Sequence, residues 1–248
     1  MTVFFHASDL HFGIEDRRAL SWFADAVARE QPDGVIITGD ITQRARRREF
    51  DAAAAYLAAL AAPVFVQPGN HDMPYYNLAE RFALPYRRMR RVERAARKQQ
   101  RWPGCTIVEL NTTARAQATT NWSQGVVGGK ALGHAVRQAE TARPGEVMIV
   151  ASHHPLFDIR LSATPDASYK ESSTRGGSGA LERLAVAGAS AFLSGHVHEP
   201  YHRLKEVAGR EVHLIGAGTL STRVRSHPVS FNQIDVGGTH ISVRHRTS

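Results

Sequence analysis

Five short segments of the sequence carry side chains that can bind a divalent metal ion. They are Asp9-x-His11, Gly39-Asp40, Gly69-Asn70-His71-Asp72, His153-His154-Pro155 and Gly195-His196-x-His198. Each segment alone is weak evidence, because a Gly-Asp pair often forms a turn and a lone His is usually a hydrogen-bonded structural residue. Together the segments supply more oxygen and nitrogen ligands than one tetrahedral ion needs. The sequence therefore predicts a site for two metal ions.

The candidate ligands are carboxylate, imidazole and amide groups, and none is a thiolate. They are Asp9, His11, Asp40, Asn70, one residue of the pair His153 and His154, His196 and His198. This mixture suits divalent Mn, Fe, Co, Ni or Zn and does not suit an all-oxygen calcium cage. Two ions roughly 3.5 to 4 Å apart, bridged by one carboxylate, would clamp the attacking and leaving oxygens of an in-line phosphoryl displacement. Asp40 is the candidate bridge.

A strand that is predicted to be buried leads into each of these segments. Short runs rich in Val, Ile and Phe predict strands at 3–7, 35–38, 64–67, 106–110, 147–151 and 191–193. Apolar residues at helical spacing predict helices at 17–29, 49–61 and 181–187. Ligands beyond the carboxyl ends of strands are typical of α/β sheets. Residues 212–215, 230–236 and 240–245 predict further strands without helices between them, so the fold is expected to end antiparallel.

Length and composition predict one globular domain over residues 1–248. Apolar residues make up 42% of the chain and charged residues 22%, which is the balance of an ordinary soluble protein. The single cysteine, Cys105, excludes an internal disulfide framework and a Cys-rich zinc finger. The N-terminus has no charged leader with an apolar core, and no apolar run reaches membrane-spanning length. We therefore expect a cytoplasmic protein without membrane insertion.

The charge of the chain is strongly positive. Lys and Arg number 31 against 23 Asp and Glu, which gives a net charge of +8. A basic chain favours anionic partners such as phosphate esters or nucleic acid. Much of the excess lies in two Arg-rich stretches, 44–48 and 87–101, which are interpreted mainly as solvated helix faces. The alternative is a phosphate-attracting surface, on which Tyr86 and Trp102 would flank a path for a polyanionic backbone.

The order of the five segments resembles the pattern of the calcineurin-like metallophosphoesterase superfamily, over residues 9–198. Within it, the chain is most similar to the bacterial class III cyclic nucleotide phosphodiesterase and glycerophosphodiesterase group. That finer resemblance rests on the size of the chain, on Gly39-Asp40-Ile41-Thr42-Gln43 and on Gly218-Thr219. It implies an α/β (α+β) fold, a four-layer αββα sandwich in which two mixed sheets pack face to face with helices outside.

The resemblance also assigns the ligands to two divalent ions, for which Mn, Fe, Zn and Co are the candidates. It implies that the first ion is held by Asp9, His11, Asp40 and His198, and the second by Asp40, Asn70, His153 and His196. His153 is selected because the family places the ligand two residues before the proline, which leaves His154 near the substrate or behind the ligands. A hydroxide shared between the two ions would be the nucleophile.

His71 and Asp72 are the candidate catalytic residues. By resemblance, His71 points at the substrate, where it could stabilise the transition state or protonate the leaving group, and Asp72 is expected to orient it. Arg44 could reach a substrate phosphate, although a surface Arg at a helix start is an equal alternative. The histidines outside the pattern are interpreted as structural or surface residues, with His6 as a candidate exception because its strand leads to Asp9.

The expected substrate is a small phosphodiester, with cyclic nucleotides as the first candidates. A nuclease, or a hydrolase of nucleotide-sugar or lipid diphosphates, would use the same site. A non-catalytic scaffold would be expected to lack ligands, and none is missing. The segments 114–129 and 162–179 are expected to be loops that set specificity, and the C-terminal strands or the 87–101 stretch could form a homodimer interface.

Overall fold

Two mixed β-sheets form the centre of the molecule. The computed structural model describes residues 1–115, 123–158 and 174–248. Most of the expected loops at 114–129 and 162–179 therefore lies outside the described residues. The strands are β1 (Thr2–Ala7), β2 (Gly34–Ile37), β3 (Val64–Val66), β4 (Arg101–Trp102), β5 (Cys105–Glu109), β6 (Val147–Ala151), β7 (Ala189–Ser194), β8 (Tyr201–Val207), β9 (Arg210–Gly216), β10 (Ser230–Gly237) and β11 (His240–Thr247).

The first sheet has the strand order β11-β10-β1-β2-β3. Strands β1, β2 and β3 are parallel, whereas β10 pairs antiparallel with β1 and forms a hairpin with β11. The final strands therefore return to the first one, with Phe4 opposite Ile234. The expected antiparallel ending is present in this sheet.

The second sheet has the strand order β4-β5-β6-β7-β9-β8. Its four central strands are parallel, and β4 and β8 pair antiparallel at the two edges. The sequence predicted antiparallel pairing for the strand at 212–215. Strand β9 covers these residues, but it is antiparallel only to β8 and is parallel to β7. The edge strands β4 and β8 were missed. Most residues of β8 are exposed, so they lack the apolar run that marks a buried strand.

Helices cover the outer face of each sheet. They are α1 (Arg17–Glu30), α2 (Arg47–Ala59), α3 (Leu78–Ala83), α4 (Met89–Ala95), α5 (Gly129–Ala139) and α6 (Gly177–Val186). One apolar cluster, which includes Phe23 and Phe50, lies under α1 and α2, and a second lies under α5 and α6. A third cluster, which includes Phe4, Ile36 and Ile149, fills the space between the sheets. The molecule is thus the four-layer αββα sandwich that the resemblance implied.

The Arg-rich stretch 87–101 is not one solvated helix. It contains the short helix α4 and the edge strand β4. Several of its cations make ion pairs: Arg87 and Arg88 contact Glu80, Arg91 contacts Asp51, and Lys98 contacts Glu93 and Glu109. The Trp102 side chain is 5% exposed and packs edge-on against Phe4 between the sheets. It therefore does not offer a ring face to nucleic acid.

The described helices give no candidate for a membrane span, since none is both long and apolar enough to cross the bilayer.

Candidate metal centre

The carboxyl ends of five strands bring the candidate ligands to one place between the two sheets. Strands β1, β2 and β3 lead into Asp9, Asp40 and Asn70, and β6 and β7 lead into His153 and His196. The segments after β1 and β2 stay paired beyond the sheet. The backbone N–H of Asp9 donates to Gly39 over 3.1 Å, and that of His11 donates to Asp40 over 3.0 Å.

Backbone strain is concentrated at the candidate ligands. In the described part of the chain, nine residues other than glycine have a left-handed φ, and five of them are candidate ligands. These five are Asp9, His11, Asp40, His196 and His198. A left-handed non-glycine residue is uncommon and costs on the order of 1 to 3 kcal/mol, so it persists where surrounding structure enforces it. Strain of this kind is typical of binding and catalytic sites.

Two glycines let neighbouring segments approach the ligands closely. A side chain at Gly195 would overlap the Ser8 hydroxyl and would lie 2.6 Å from Oδ2 of Asp9. A side chain at Gly69 would overlap the Asp40 carboxylate and its backbone nitrogen. The glycines in the third and fifth sequence segments are thus needed for space.

Asp9, His11 and His198 form the first cluster of candidate ligand atoms. The Nδ1 atom of His198 donates to the carbonyl of Arg223 over 2.7 Å, which directs Nε2 towards the other two side chains. This Nε2 lies 3.1 Å from Oδ1 of Asp9 and 3.3 Å from Nε2 of His11. Oδ1 of Asp9 and Nδ1 of His11 are nevertheless buried without a hydrogen-bond partner among the residues that the structure describes.

Asp40, Asn70 and His153 form the second cluster. Nδ1 of His153 donates to the Thr38 carbonyl over 2.7 Å. Its Nε2 lies 3.3 Å from Oδ2 of Asp40 and 3.1 Å from Oδ1 of Asn70. Within the described part of the chain, the buried Nδ2 atom of Asn70 has no hydrogen-bond partner.

Asp40, a member of the second cluster, also faces the first. Its Oδ1 accepts a hydrogen bond of 2.8 Å from the backbone of His71. Its Oδ2 lies 3.3 Å from Nε2 of His153 and 3.9 Å from Nε2 of His11, which belong to different clusters. One oxygen shared in this way is the arrangement that a bridging carboxylate needs.

Neighbouring histidines lower the pKa of both central carboxylates, which favours their ionised form. Burial would raise the pKa of Asp9, but His198 and His11 beside it hold that pKa well below its usual range. Burial would also raise the pKa of Asp40, and His153 and His71 lower it. Buried negative charges and unpartnered buried polar atoms are costly unless a cation or hydrogen bonds compensate them. The residues present therefore fit a pair of divalent ions.

The two adjacent histidines of the His-His-Pro segment have different surroundings. Nδ1 of His154 lies 2.8 Å from Oγ1 of Thr112, and its Nε2 lies 3.0 Å from the Ser123 carbonyl. Both of its ring nitrogens are therefore occupied, whereas Nε2 of His153 faces Asp40 and Asn70. His154 packs 4.4 Å from His196 between ring centroids and stands behind the ligands.

His196 joins the second cluster through its ring and the first through its backbone. Its ring centroid lies 5.2 Å from that of His153. Its backbone N–H donates to Oδ2 of Asp9 over 2.9 Å, so the turn after β7 is tied to the turn after β1. This bond leaves only the other oxygen of Asp9, Oδ1, to face the ligand cluster.

Asp72 was expected to orient His71, and the structure does not place it to do so. Nδ1 of His71 donates to the Gln43 carbonyl over 2.8 Å, so Gln43 orients the ring. The Asp72 carboxylate accepts from the backbone N–H groups of Ile41, Thr42 and Gly69. Asp72 therefore fixes the two ligand-bearing turns after β2 and β3, and it does not contact the imidazole.

His6 lies behind the site and is not among the ligand atoms. Its Nε2 lies 3.0 Å from Oγ1 of Thr38, whose carbonyl holds His153. The Arg44 backbone N–H donates to Glu49 at the start of α2, and its side chain is exposed, as expected for a surface residue at a helix start.

Three residues near the site lie outside the five ligand segments, and the sequence analysis assigned none of them a role in the site. Arg223 places Nη1 3.1 Å from Nε2 of His71. The Tyr75 ring lies 5.8 Å from the His71 ring between centroids. Thr219 donates from its hydroxyl to the Asp9 carbonyl over 2.7 Å. Only Thr219 had a signal, because it belongs to the late Gly-Thr pair noted in the resemblance.

Comparison with known proteins gives a consistent result. A family model described as calcineurin-like phosphoesterase matches residues 2–200. A protein from Rhodopseudomonas palustris, described as a probable cyclic nucleotide phosphodiesterase, is 31% identical over 170 residues, which cover 64% of this chain and 59% of that protein. Glycerophosphodiester phosphodiesterase GpdQ from Enterobacter lignolyticus is 36% identical over 78 residues, 27% of this chain and 28% of that protein. The chain thus spans less than two thirds of either relative.

Among solved structures, a dimetal phosphatase from Danio rerio superposes with a TM-score of 0.68 at 14% identity, covering 99% of this chain and 96% of that one. At this identity the likeness shows the fold alone. The family model, however, spans all five ligand segments, including the strand-end turns described above. The chain belongs to the calcineurin-like phosphoesterase family.

Proposed function

We propose that the protein is a dinuclear metal-dependent phosphodiesterase that hydrolyses small phosphodiesters. The observation that carries this proposal is the convergence of carboxylate, amide and imidazole atoms around the Asp40 carboxylate, with several buried atoms that lack a hydrogen-bond partner. When bound, two divalent ions supply the nucleophile and the positive charge for in-line displacement at phosphorus.

The proposed ligand sets follow the two clusters. The first ion would be held by Asp9, His11, Asp40 and His198, and the second by Asp40, Asn70, His153 and His196. Support comes from the two hydrogen bonds that fix the ring orientations of His153 and His198, since metal-binding histidines usually donate their other N–H in this way.

His71 is the proposed proton donor and transition-state contact. Its backbone N–H is bound to Asp40, and its Nδ1 is bound to the Gln43 carbonyl. The ring is therefore held at the edge of the site with Nε2 directed away from the protein backbone. From Nε2 it can contact a phosphoryl oxygen or protonate the leaving group.

A 3',5'-cyclic nucleotide is the proposed substrate class. The side chain of Tyr75 is 41% exposed and its ring stands beside His71, so it offers a face on which a nucleobase could stack. The first relative reported above, described as a probable cyclic nucleotide phosphodiesterase, also supports this choice. Neither observation concerns the phosphodiester chemistry, which rests on the metal centre.

A nuclease with the same site is the second candidate. Its support was the basic stretch 87–101 with aromatic residues at its ends. Several of those cations are engaged in ion pairs and Trp102 is buried, so this surface favours a small substrate over a long polyanion. Hydrolysis of nucleotide-sugar or lipid diphosphates by the same site is the other substrate alternative.

The first experiment measures hydrolysis of bis(p-nitrophenyl) phosphate and p-nitrophenyl phosphate by metal-free protein resupplied with Mn, Zn, Fe or Co. Asn70→Ala and His71→Ala are the test variants, and His134→Ala, an exposed histidine of α5, is the matched control. We expect metal-dependent cleavage of the diester that both test variants lose and the control retains. Binding of two ions without cleavage of either substrate would overturn the phosphodiesterase proposal and favour a scaffold.

The substrate class is tested with 3',5'-cyclic AMP and with glycerophosphocholine, a diester without an aromatic group. Tyr75→Ala should raise the KM for cyclic AMP by about tenfold, because a base-stacking contact is worth roughly 1 to 3 kcal/mol, and should leave the KM for glycerophosphocholine unchanged. Equal effects on both substrates would exclude Tyr75 as a base contact. Hydrolysis of glycerophosphocholine alone would exclude the cyclic nucleotide proposal.

A further inference from the structure

We propose that Arg223 binds the phosphoryl group of the substrate, and that in the free enzyme the same side chain covers Nε2 of His71. This inference rests on the proposed phosphoesterase function. It assigns a substrate-binding role to a residue outside the five ligand segments.

The backbone of Arg223 is built into the metal centre. Its carbonyl accepts the 2.7 Å hydrogen bond from Nδ1 of His198, a proposed ligand. Its N–H donates to the Ser221 hydroxyl over 3.2 Å. The Arg223 backbone therefore has a fixed position relative to the ligands, although its side chain is exposed to solvent.

The loop that carries Arg223 is held to the ligand-bearing turn after β1. The Thr219 hydroxyl donates to the carbonyl of Asp9 over 2.7 Å and lies 2.8 Å from the Ser221 hydroxyl. The backbone N–H of Thr222 donates to the Ile14 carbonyl over 3.2 Å. These contacts on both sides of Ser221 hold the loop beside the site.

The guanidinium of Arg223 reaches across the site to His71, where Nη1 lies 3.1 Å from Nε2. A guanidinium can only donate hydrogen bonds. Arg223 is therefore the donor in this contact, which occupies Nε2 of His71 while Nδ1 of the same ring is bound to the Gln43 carbonyl. While Arg223 occupies this position, Nε2 of His71 is not available to a substrate.

A phosphoryl oxygen is a better partner for Arg223 than the neutral imidazole is. In the described residues, no Asp or Glu forms an ion pair with Arg223, whereas Arg87, Arg88 and Arg91 all have carboxylate partners. Hydrogen bonds between guanidinium and anionic oxygen are about twice as strong as neutral ones, and the planar fork matches phosphate geometry. Substrate binding should therefore draw Arg223 from His71 onto the phosphoryl group and free Nε2.

The test compares Arg223→Met and Arg223→Lys with the wild-type protein. Arg210→Met, at the exposed start of β9, is the matched control for the loss of one positive charge. Circular dichroism and metal content should first establish that each variant folds and carries the same number of zinc ions.

We expect Arg223→Met to raise the KM for bis(p-nitrophenyl) phosphate, and the inhibition constant for inorganic phosphate, by about tenfold to a hundredfold. The Lys variant should restore part of this loss and the control should match wild type.

A second readout does not depend on activity. Calorimetric titration of zinc-loaded protein with inorganic phosphate should show the same loss of affinity in Arg223→Met. Unchanged phosphate affinity would overturn the inference, and a fall in kcat with unchanged affinity would make Arg223 a positioning residue for His71. If the wild-type protein cleaves no phosphoester, the proposed function fails, and the phosphate titration still decides whether Arg223 binds the anion.

Discussion

A chain of buried polar side chains holds the candidate ligand His153 from behind. The Thr38 carbonyl accepts from His153, and the Thr38 hydroxyl lies 3.0 Å from Nε2 of His6. The Asn232 amide donates to Nδ1 of His6 over 3.2 Å and to the Gly216 carbonyl over 2.9 Å. Burial lowers the pKa of His6 to about 3, so its ring is neutral and donates from Nε2. This series of hydrogen bonds therefore connects both sheets to the His153 ring and fixes the orientation of that candidate ligand.

Replacing His6 with Phe should break this series of hydrogen bonds, destabilise the protein and weaken metal binding. The substitution leaves the Thr38 hydroxyl and one N–H of Asn232 buried without a partner, at a cost of about 1 to 3 kcal/mol each. We expect the urea unfolding free energy of the metal-free protein to fall by about 2 kcal/mol or more, and the zinc affinity to fall about tenfold. His134→Phe on the surface of α5 is the control. Unchanged zinc affinity in a destabilised His6→Phe protein would limit the chain to a structural role.

Asp72→Ala tests the corrected role of that carboxylate. Three backbone N–H groups lose their acceptor in this variant, and the Thr42 hydroxyl keeps only its longer bond to the His71 carbonyl. We expect a loss of about 3 kcal/mol in urea unfolding, because buried donors would be left unsatisfied. His71→Ala should cost less, because its side chain gives up two hydrogen bonds at the edge of the site, one to the Gln43 carbonyl and one to the exposed Arg223 guanidinium. A stable Asp72→Ala protein with altered kcat would instead support the orienting role first expected for it.

The sequence singles out candidate ligands more readily than candidate substrate contacts. Asp9, Asp40 and Asn70 are recognisable as candidates because each follows a buried strand with a clear apolar run. Arg223 could not be found, because the loop after β9 has no distinctive composition. The Arg223 side chain lies beside His71 only in the folded molecule, in which β10 pairs with β1 and the two sheets pack together.

At the scale of elements, the predicted strands and helices are those with a strong burial pattern. The predicted helix at 17–29 matches α1, whose buried residues Leu20, Phe23 and Val27 repeat at helical spacing. Helix α5 was missed, because only alanines of this helix are fully buried. Helix α6 begins earlier than predicted, at Gly177, within a Gly-rich stretch that carries little helical propensity.

The start of α1 depends on a side-chain cap. Oδ1 of Asp16 accepts from the backbone N–H groups of Arg18 and Ala19 over 2.9 and 3.2 Å. Asp16→Ala should therefore lower the urea unfolding free energy by about 1 kcal/mol, while Asp16→Asn should retain most of it. Asp25→Ala, at an exposed position of the same helix, is the control for loss of a negative charge. Equal losses for Asp16→Ala and Asp25→Ala would assign the effect to charge and exclude the cap.

At the scale of the whole molecule, the metal centre joins the two halves of the fold. Strands of the first sheet supply Asp9, Asp40 and Asn70, and strands of the second supply His153 and His196. Ions bound by both sets would crosslink the sheets at the edge where three turns with five strained residues meet. The site is therefore expected to contribute to global stability as well as to chemistry, because a ligand that binds only the folded state stabilises it by mass action.

Zinc loading should raise the melting temperature of the metal-free protein. At a free zinc concentration about 1,000 times the Kd, linkage gives about 4 kcal/mol of stabilisation per site. For a chain of this size that corresponds to a shift of roughly 8 to 16 °C, measured by differential scanning calorimetry and reversed by EDTA. Calcium is the control ion, because the imidazole-rich ligand set does not suit it. Asn70→Ala should lose part of the zinc shift. An equal shift in Asn70→Ala and wild type would place the stabilising zinc outside the second cluster, and no shift in either would contradict a metal crosslink between the sheets.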